Sequence, residues 1–209
     1  MTDEASRRTP VAVAQLRQRI AARTQRVAAE FGTSALSRFS DTLIALLDVS
    51  TSMEGEKLRK AKEGLLAMAR ESVASSVAVG MVSFNDQAKP LLPPNRNFDD
   101  LFRAVERLSA GGGTSLAPAL VQASAWLDRQ FGRRSVLVVT DGQVSDSTAA
   151  LDIAARMKAS GVRFAAIGTF DADRFFLSRL ASESVLGAQV ADRAIGTQIE
   201  ATTRALLAP

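Results

Sequence analysis

The sequence contains no cysteine, no histidine and no tyrosine among its 209 residues. The absence of cysteine excludes disulfides, thiolate metal sites and cysteine nucleophiles. The absence of histidine also removes the nitrogen ligand on which zinc and copper sites commonly depend. Any metal bound by this chain must therefore be held by oxygen atoms, which favours the hard cations Mg²⁺, Mn²⁺ and Ca²⁺.

Long apolar runs are also missing. No stretch approaches the roughly 20 apolar residues of a membrane span, and the first residues lack the apolar segment of a secretory signal. Hydrophobic residues nevertheless make up 46% of the chain and charged residues 23%, a balance that can bury a sizeable core. We therefore expect a soluble, cytoplasmic protein with no membrane span.

The positive charge is concentrated at the start of the chain. The first 40 residues carry seven arginines against three carboxylates, so they hold the whole net charge of +4. Apolar residues recur at helical spacing from Pro10 to Phe31, with arginines on another face, which predicts an amphipathic N-terminal helix and a linker. Because no lysine accompanies these arginines and Phe31 is the one aromatic residue between them, nucleic-acid binding is not expected.

We divide the chain into this arginine-rich leader, residues 1–40, and one domain, residues 41–209. The leader either packs against the domain or a neighbouring subunit, or it binds a partner. Packing is the favoured interpretation.

Beyond residue 41, apolar runs of strand length alternate with amphipathic helical segments. Strands are predicted at 42–47, 77–84, 87–91, 135–140, 162–168 and 188–190, and helices at 55–75, 98–108, 116–130, 146–160, 174–182 and 197–207. The segment 87–91 lies between a turn at Asn85-Asp86 and Pro93-Pro94, which should end it, so we predict a short antiparallel edge strand. The order predicts an α/β fold with a doubly wound, mostly parallel sheet covered on both faces.

Polar side chains lie on three loops, each just past a predicted strand or at a predicted helix start. Asp48, Ser50 and Ser52 come directly after the first strand, Thr114 follows a run of three glycines, and Asp141 follows the strand at 135–140. In doubly wound sheets ligands bind beyond the carboxyl ends of the strands, where the strand order reverses. Five oxygen-bearing side chains from three loops suit a six-coordinate cation with water in the remaining positions.

These three motifs, Asp48-x-Ser50-x-Ser52, Thr114 after the glycines, and Thr140-Asp141-Gly142, resemble the metal-ion-dependent adhesion site of von Willebrand factor A domains. Their order and approximate spacing match, and the resemblance covers about residues 41–207. It implies a Rossmann-like fold with a metal on the upper rim of the sheet. It also implies a function in binding, because in this family an Asp or Glu of a partner protein completes the coordination of the metal.

Carried over by position, the resemblance makes Ser50, Ser52 and Thr114 the expected direct ligands of Mg²⁺ or Mn²⁺, with Ca²⁺ as a further candidate. Asp48 and Asp141 are expected to bind either directly or through coordinated water. The chain departs from the commonest family pattern in the first loop, where small glycines usually separate the ligands. Val49 and Thr51 stand at those positions. We expect Val49 to point into the core and Thr51 to stand at the rim and narrow access.

Simpler interpretations exist for several of these residues. Asp48 and Ser52 could cap the following helix, although Thr114 and Asp141 make that less favoured. The glycine run lacks the Gly-Lys-Ser/Thr ending of a phosphate-binding P-loop, so nucleotide binding is not expected. The remaining polar residues of this kind are predicted to mark loops and helix starts rather than a second metal site: Asp146, Ser147, Asp171 and Asp173.

Three functions are compatible with the sequence. The leading hypothesis is a non-enzymatic module that binds an acidic residue of a partner protein through the metal. The resemblance also implies a regulatory subunit beside a separate AAA+ ATPase of the MoxR or chelatase kind. A metal-dependent hydrolase with Asp48 or Asp141 as the base is the least favoured, because no histidine, cysteine or tyrosine is present to share acid–base or nucleophilic roles.

Overall fold

The structure is a computed structural model that describes residues 40–183 and 186–208. The predicted leader helix and its arginines lie outside the described residues, so the division of the chain at residue 40 and the role of the leader remain predictions. Within the described part of the chain, no helix is long and apolar enough to cross a membrane.

Six strands form one sheet. They are β1 Thr42–Asp48, β2 Ala78–Phe84, β3 Ala88–Asn95, β4 Arg134–Thr140, β5 Val162–Thr169 and β6 Gly187–Val190. Their order across the sheet is β3-β2-β1-β4-β5-β6. Every neighbouring pair is parallel except β2 and β3. The predicted doubly wound, mostly parallel sheet with an antiparallel edge strand is therefore confirmed.

In the part of the chain that the structure describes, six α-helices cover the two faces of the sheet. They are α1 Glu56–Ala74, α2 Phe98–Glu106, α3 Ala117–Leu127, α4 Ser147–Ala159, α5 Arg174–Leu180 and α6 Ile195–Leu207. Buried residues of α1, α2 and α6 pack in one hydrophobic cluster, and those of α3, α4 and α5 pack in the other. Strand side chains alternate between the two clusters because successive residues point to opposite faces.

The central strand β1 shows this alternation most clearly. Leu43, Ala45 and Leu47 belong to the cluster under α1, whereas Ile44 and Leu46 belong to the cluster under α3. All five are fully or almost fully buried. A strand covered on both faces is apolar at every position, which is why the sequence predicted it as a continuous hydrophobic run.

The edge strand β3 is longer than predicted. We expected Pro93-Pro94 to end it, but it continues to Asn95 and also contains Pro90. Its pairing with β2 is irregular on either side of Met81. Proline has no backbone N–H to donate, and it is tolerated in β3 because a strand at the edge of a sheet pairs on one side only.

Two helices begin at the residues predicted to cap them. Asn97 begins α2 by accepting a hydrogen bond from the Asp99 N–H at 3.0 Å. Asp173 begins α5 by accepting from the Phe175 and Phe176 amides, as its interpretation as a helix start required. The last helix begins two residues earlier than predicted, at Ile195, and follows directly on a 3-10 turn.

The order of the strands creates a crevice at the carboxyl ends of β1 and β4. The chain proceeds outward from β1 through β2 and β3, then returns to place β4 on the other side of β1. The connections that leave the two strands therefore diverge to opposite faces, and the space between them stays open. Asp48 is the last residue of β1 and Asp141 follows the last residue of β4.

Candidate metal centre

Asp48 lies at the base of this crevice and is completely buried. Its Oδ1 accepts a hydrogen bond from the Ser50 N–H at 2.8 Å, and its Oδ2 accepts one from the Thr140 hydroxyl at 2.5 Å. Burial raises the pKa of Asp48 above its usual value, although both hydrogen bonds oppose the rise. A carboxylate held in this way is costly to keep charged, so a nearby cation would stabilise it.

A chain of hydroxyls leads from the first loop to Asp141. The Ser50 Oγ lies 3.0 Å from the Ser52 Oγ. The Ser52 hydroxyl in turn donates to Asp141 Oδ1 at 2.7 Å. Ser50 and Asp141 are almost completely buried. Because the Ser52 hydrogen points to Asp141, the Ser50 hydroxyl is the donor between the two serines, and the Ser52 oxygen keeps one lone pair with which it could bind a metal.

Thr114 reaches the same place from the glycine-rich loop. Its Oγ1 and the Ser52 Oγ both flank Gly142, where a Cβ atom would lie 3.7 Å and 3.8 Å from them. The backbone carbonyl of Thr114 accepts hydrogen bonds from the Ser145 amide at 2.9 Å and hydroxyl at 2.8 Å. The structure therefore brings all five predicted side chains, from three separate loops, to one edge of the sheet.

The glycine run packs against the carboxylate of Asp86. The Gly113 N–H donates to Asp86 Oδ2 at 2.9 Å. Gly112 has a φ of +86°, and a Cβ atom there would lie 2.5 Å from the same oxygen. A side chain at Gly112 would be both strained and obstructed, so the path of the chain into Thr114 depends on these glycines.

The two residues that replace glycine in the first loop have different roles. Val49 is 7% exposed and packs in the core, as predicted. Thr51 is exposed at the rim, as predicted, and its amide and hydroxyl both donate to the Gly112 carbonyl, at 3.0 Å and 3.1 Å. The Gly111 N–H donates back to the Val49 carbonyl at 2.7 Å. Thr51 thus joins the two loops, a role that the sequence did not indicate.

Lys57 is a member of the site that sequence reasoning missed. Its Nζ lies 2.6 Å from Asp141 Oδ2 and 3.4 Å from Asp171 Oδ2. Burial lowers the pKa of Lys57, but the hydrogen bond and charge of Asp141, together with Asp171 and Asp192, raise it by more. The only signal in the sequence was its position in the first turn of α1, close to the loop that follows β1.

Asp146 directly precedes α4, as its interpretation as a helix start required, but its side chain makes no capping hydrogen bond to that helix. The Asp146 carboxylate accepts hydrogen bonds from the Leu116 and Ala117 amides at 2.9 Å and 2.8 Å, and from the Ser115 hydroxyl at 2.6 Å. It therefore caps α3, a different helix, and holds the residues that directly follow Thr114. The cap preference identified the right residue type but could not reveal which helix end the fold would bring near it.

We expect Asp146→Ala to lower the free energy of unfolding by about 2 kcal/mol, because it leaves two helix N-terminal amides and a hydroxyl without their charged acceptor. Urea denaturation monitored by circular dichroism measures this change. Asp152→Ala, at an exposed position of α4, is the matched control and should change stability by less than about 0.5 kcal/mol. Equal losses from the two variants would contradict the structural role of Asp146.

The donors at this site fit a hard divalent cation. They are hydroxyl and carboxylate oxygens, the ligand type that Mg²⁺ and Mn²⁺ prefer. Across residues 40–183 and 186–208, no three His, Cys, Asp or Glu side chains gather closely enough to hold a metal between them. A metal at this rim would thus depend on the hydroxyls of Ser50, Ser52 and Thr114 as well as on two carboxylates.

Fold and site together define a doubly wound α/β protein with an oxygen-rich centre at its topological switch point. The family model of the von Willebrand factor type A domain matches residues 42–197. The chain therefore belongs to the von Willebrand factor type A family, as its three motifs predicted.

Two curated relatives are similar to this chain over part of their own length. Matrilin-1 of Mus musculus is 32% identical over 156 residues, which cover 68% of this chain and 31% of that protein. The magnesium-chelatase 67 kDa subunit of Chlorobaculum parvum is 32% identical over 119 residues, which cover 52% of this chain and 19% of that protein. The chain spans less than a third of either relative, so the similarity concerns the domain alone.

A solved structure shares the fold. Proximal thread matrix protein 1 of the mussel byssus, in a form with a zinc-occupied MIDAS motif, superposes with a TM-score of 0.67 at 16% identity. The superposition covers 82% of this chain and 46% of that one.

Proposed function

We propose that this protein is a non-enzymatic interaction module that binds Mg²⁺ or Mn²⁺ at the β1–β4 crevice and holds an acidic residue of a partner protein through the metal. The observation that carries the proposal is the convergence of three hydroxyls and two buried carboxylates from three loops. The domain family supports it, since its members mediate protein interactions. We assign it to the cytoplasm, with which the lack of cysteine is compatible.

The hydrogen bonds assign separate roles to the donors. Asp48 is engaged by the Ser50 amide and Thr140, and Asp141 accepts from the Ser52 hydroxyl. Asp141 thus orients the Ser52 hydroxyl, Asp48 holds the Ser50 backbone in place, and both carboxylates supply negative charge nearby. Metal ligation falls mainly to the neutral oxygens of Ser50, Ser52 and Thr114. A divalent cation held by neutral ligands retains much of its charge, so it attracts an anionic ligand such as a carboxylate.

Apolar surface lies beside the carboxylates on the same rim. Phe170, which directly follows β5, is 72% exposed, and Phe175, in the first turn of α5, is 82% exposed. Asp171 connects this loop to the site through its 3.4 Å contact with Lys57. A partner that presents its Asp or Glu to the metal would cover these rings, and buried aromatic anchors supply much of the affinity of protein interfaces.

The binding of a carboxylate to the open metal position can be tested without knowing the partner. We expect Mn²⁺ bound to the protein to enhance water proton relaxation, and we expect acetate to reduce that enhancement by displacing coordinated water. Acetamide, a neutral molecule of the same shape, should have little effect. If acetate and acetamide act equally, or if Mn²⁺ does not bind, the metal-mediated mechanism is contradicted.

A second candidate function is a regulatory subunit of a separate AAA+ ATPase system of the chelatase or MoxR kind. The similarity to the magnesium-chelatase 67 kDa subunit favours it. A co-purified AAA+ ATPase that dissociates on addition of EDTA would support this candidate, and no such ATPase among the co-purified proteins would count against it. No specific observation favours a metal-dependent hydrolase.

A further inference from the structure

We propose that Lys57 is a tethered cation that neutralises Asp141 when no metal is bound and transfers to Asp171 when the metal binds. This inference rests on the proposed metal binding and concerns how the chain controls its own affinity for the metal. The juxtaposition that carries it is one ammonium group between two carboxylates, one buried at the site and one exposed beside it.

In the structure the two oxygens of Asp141 are divided between two donors. Oδ1 accepts from the Ser52 hydroxyl at 2.7 Å, and Oδ2 lies 2.6 Å from Lys57 Nζ. The Asp141 side chain is 0% exposed, whereas that of Lys57 is 15% exposed. A buried carboxylate needs a cation or several hydrogen bonds to remain charged, and Lys57 supplies the cation from within the chain.

A metal bound to the serine hydroxyls would place two positive charges beside the one already on Lys57. The ammonium and the metal both seek Asp141, and they repel each other at short range in a partly buried site. Lys57 therefore lowers the affinity of the site for the metal for as long as it stays on Asp141. Metal binding becomes more favourable if the ammonium has another carboxylate to which it can move.

Asp171 provides that second position. Its Oδ2 is already 3.4 Å from Lys57 Nζ, and its side chain is 77% exposed. Asp192 also contributes a favourable charge to Lys57. A lysine has a flexible stem of four methylene groups, so a change of rotamer moves the ammonium from the buried carboxylate to the exposed one without any change in the backbone.

The test is the affinity for Mn²⁺, measured by isothermal titration calorimetry, of the wild type, Lys57→Met and Lys57→Arg. Methionine keeps the apolar stem and removes the charge, so we expect Mn²⁺ to bind about tenfold more tightly. Arginine retains the charge and should bind Mn²⁺ within about threefold of the wild type. Weaker binding by Lys57→Met would mean that Lys57 only positions Asp141, and it would overturn the proposal.

Thermal unfolding gives a readout that does not depend on binding isotherms. In EDTA, Lys57→Met should melt below the wild type because Asp141 is then buried without its cation. In saturating Mg²⁺ the difference should shrink, since the metal supplies the missing charge and stabilises the folded state by its binding free energy. An equal difference in melting temperature with and without Mg²⁺ would contradict the competition between lysine and metal.

The proposed transfer of the ammonium to Asp171 predicts that removing the Asp171 carboxylate weakens metal binding, the opposite of the effect of Lys57→Met. Asp171→Asn removes the alternative position, so we expect Mn²⁺ to bind about threefold more weakly. In the Lys57→Met background the same substitution should have little effect, because no ammonium remains to be moved. Additive effects in this double-mutant cycle would show that Lys57 and Asp171 act independently and would overturn the transfer.

The two proposals can fail separately. If the wild type does not bind Mn²⁺, the proposed metal binding and the proposed role of Lys57 are both disproved. If the wild type binds Mn²⁺ and the Lys57 variants bind it with unchanged affinity, the proposed metal centre stands and only the tethered cation is disproved.

Discussion

Replacing Asp48 with asparagine is expected to weaken Mg²⁺ and Mn²⁺ binding by at least about a hundredfold while leaving the metal-free protein as stable as the wild type, or more so. Asp48 is completely buried, and its burial raises its pKa, which shows that its charge opposes folding at neutral pH. Asparagine removes that cost. Its carbonyl oxygen can still accept from the Ser50 amide, and its NH₂ group can donate to the Thr140 hydroxyl.

The measurement is calorimetric titration with Mn²⁺, together with thermal unfolding in EDTA. Asp152→Asn, which removes an exposed carboxylate on α4, is the matched control and should alter neither metal binding nor stability. If Asp48→Asn binds Mn²⁺ normally, the carboxylate does not belong to the metal centre. If it unfolds far below the wild type in EDTA, Asp48 is chiefly a structural residue of the β1–β4 junction.

Replacing Gly64 with valine is expected to destabilise the domain by about 3 kcal/mol, because α1 and α6 cross in close contact at this point. A Cβ atom on Gly64 would lie 2.8 Å from the Cα and carbonyl oxygen of Gly196 and 2.9 Å from the Cβ of Ile199. Two of these atoms are backbone, so no side-chain rotation can make room. The helices must move apart, which opens the hydrophobic cluster on this face of the sheet.

Helix propensity alone predicts that Gly64→Val stabilises the domain, because valine forms helices more readily than glycine. The free energy of unfolding from urea titration therefore separates the two effects. Glu71→Val, at an exposed position of the same helix, is the control and should change stability by less than about 0.5 kcal/mol. A Gly64→Val variant as stable as the wild type would show that α1 and α6 do not pack as closely as described.

Much of the fold was predictable from periodicity. Buried strands such as β1 and β4 are apolar at every position, and the helices carry an apolar stripe, so their alternation identifies a parallel sheet with two covered faces. The candidate site was predictable for a related reason. Side chains that follow the carboxyl ends of parallel strands must meet at one edge of the sheet, and the structure brings Asp48, Ser52 and Asp141 to that edge. Thr114 lies on the loop between α2 and α3, and its place beside them was indicated by the resemblance of the glycine motif to the family pattern.

The features that escaped prediction depend on long-range contacts. Lys57 resembles any other charged residue of a helical first turn until the fold places it beside Asp141, 84 positions later in the chain. Asp146 has the right chemistry for a helix cap, but only the tertiary structure shows that it caps α3. The prolines of β3 indicated a strand end, and the edge position of β3 explains why they are tolerated.

A crystal structure of the protein grown with Mn²⁺, with the metal located by its anomalous scattering, would show whether the β1–β4 crevice binds a metal. We expect one Mn²⁺ bonded to the hydroxyl oxygens of Ser50, Ser52 and Thr114, with the Lys57 ammonium on Asp171 and an open position filled by water or a carboxylate. Anomalous density elsewhere, or none at this rim with Lys57 still on Asp141, would contradict this expectation.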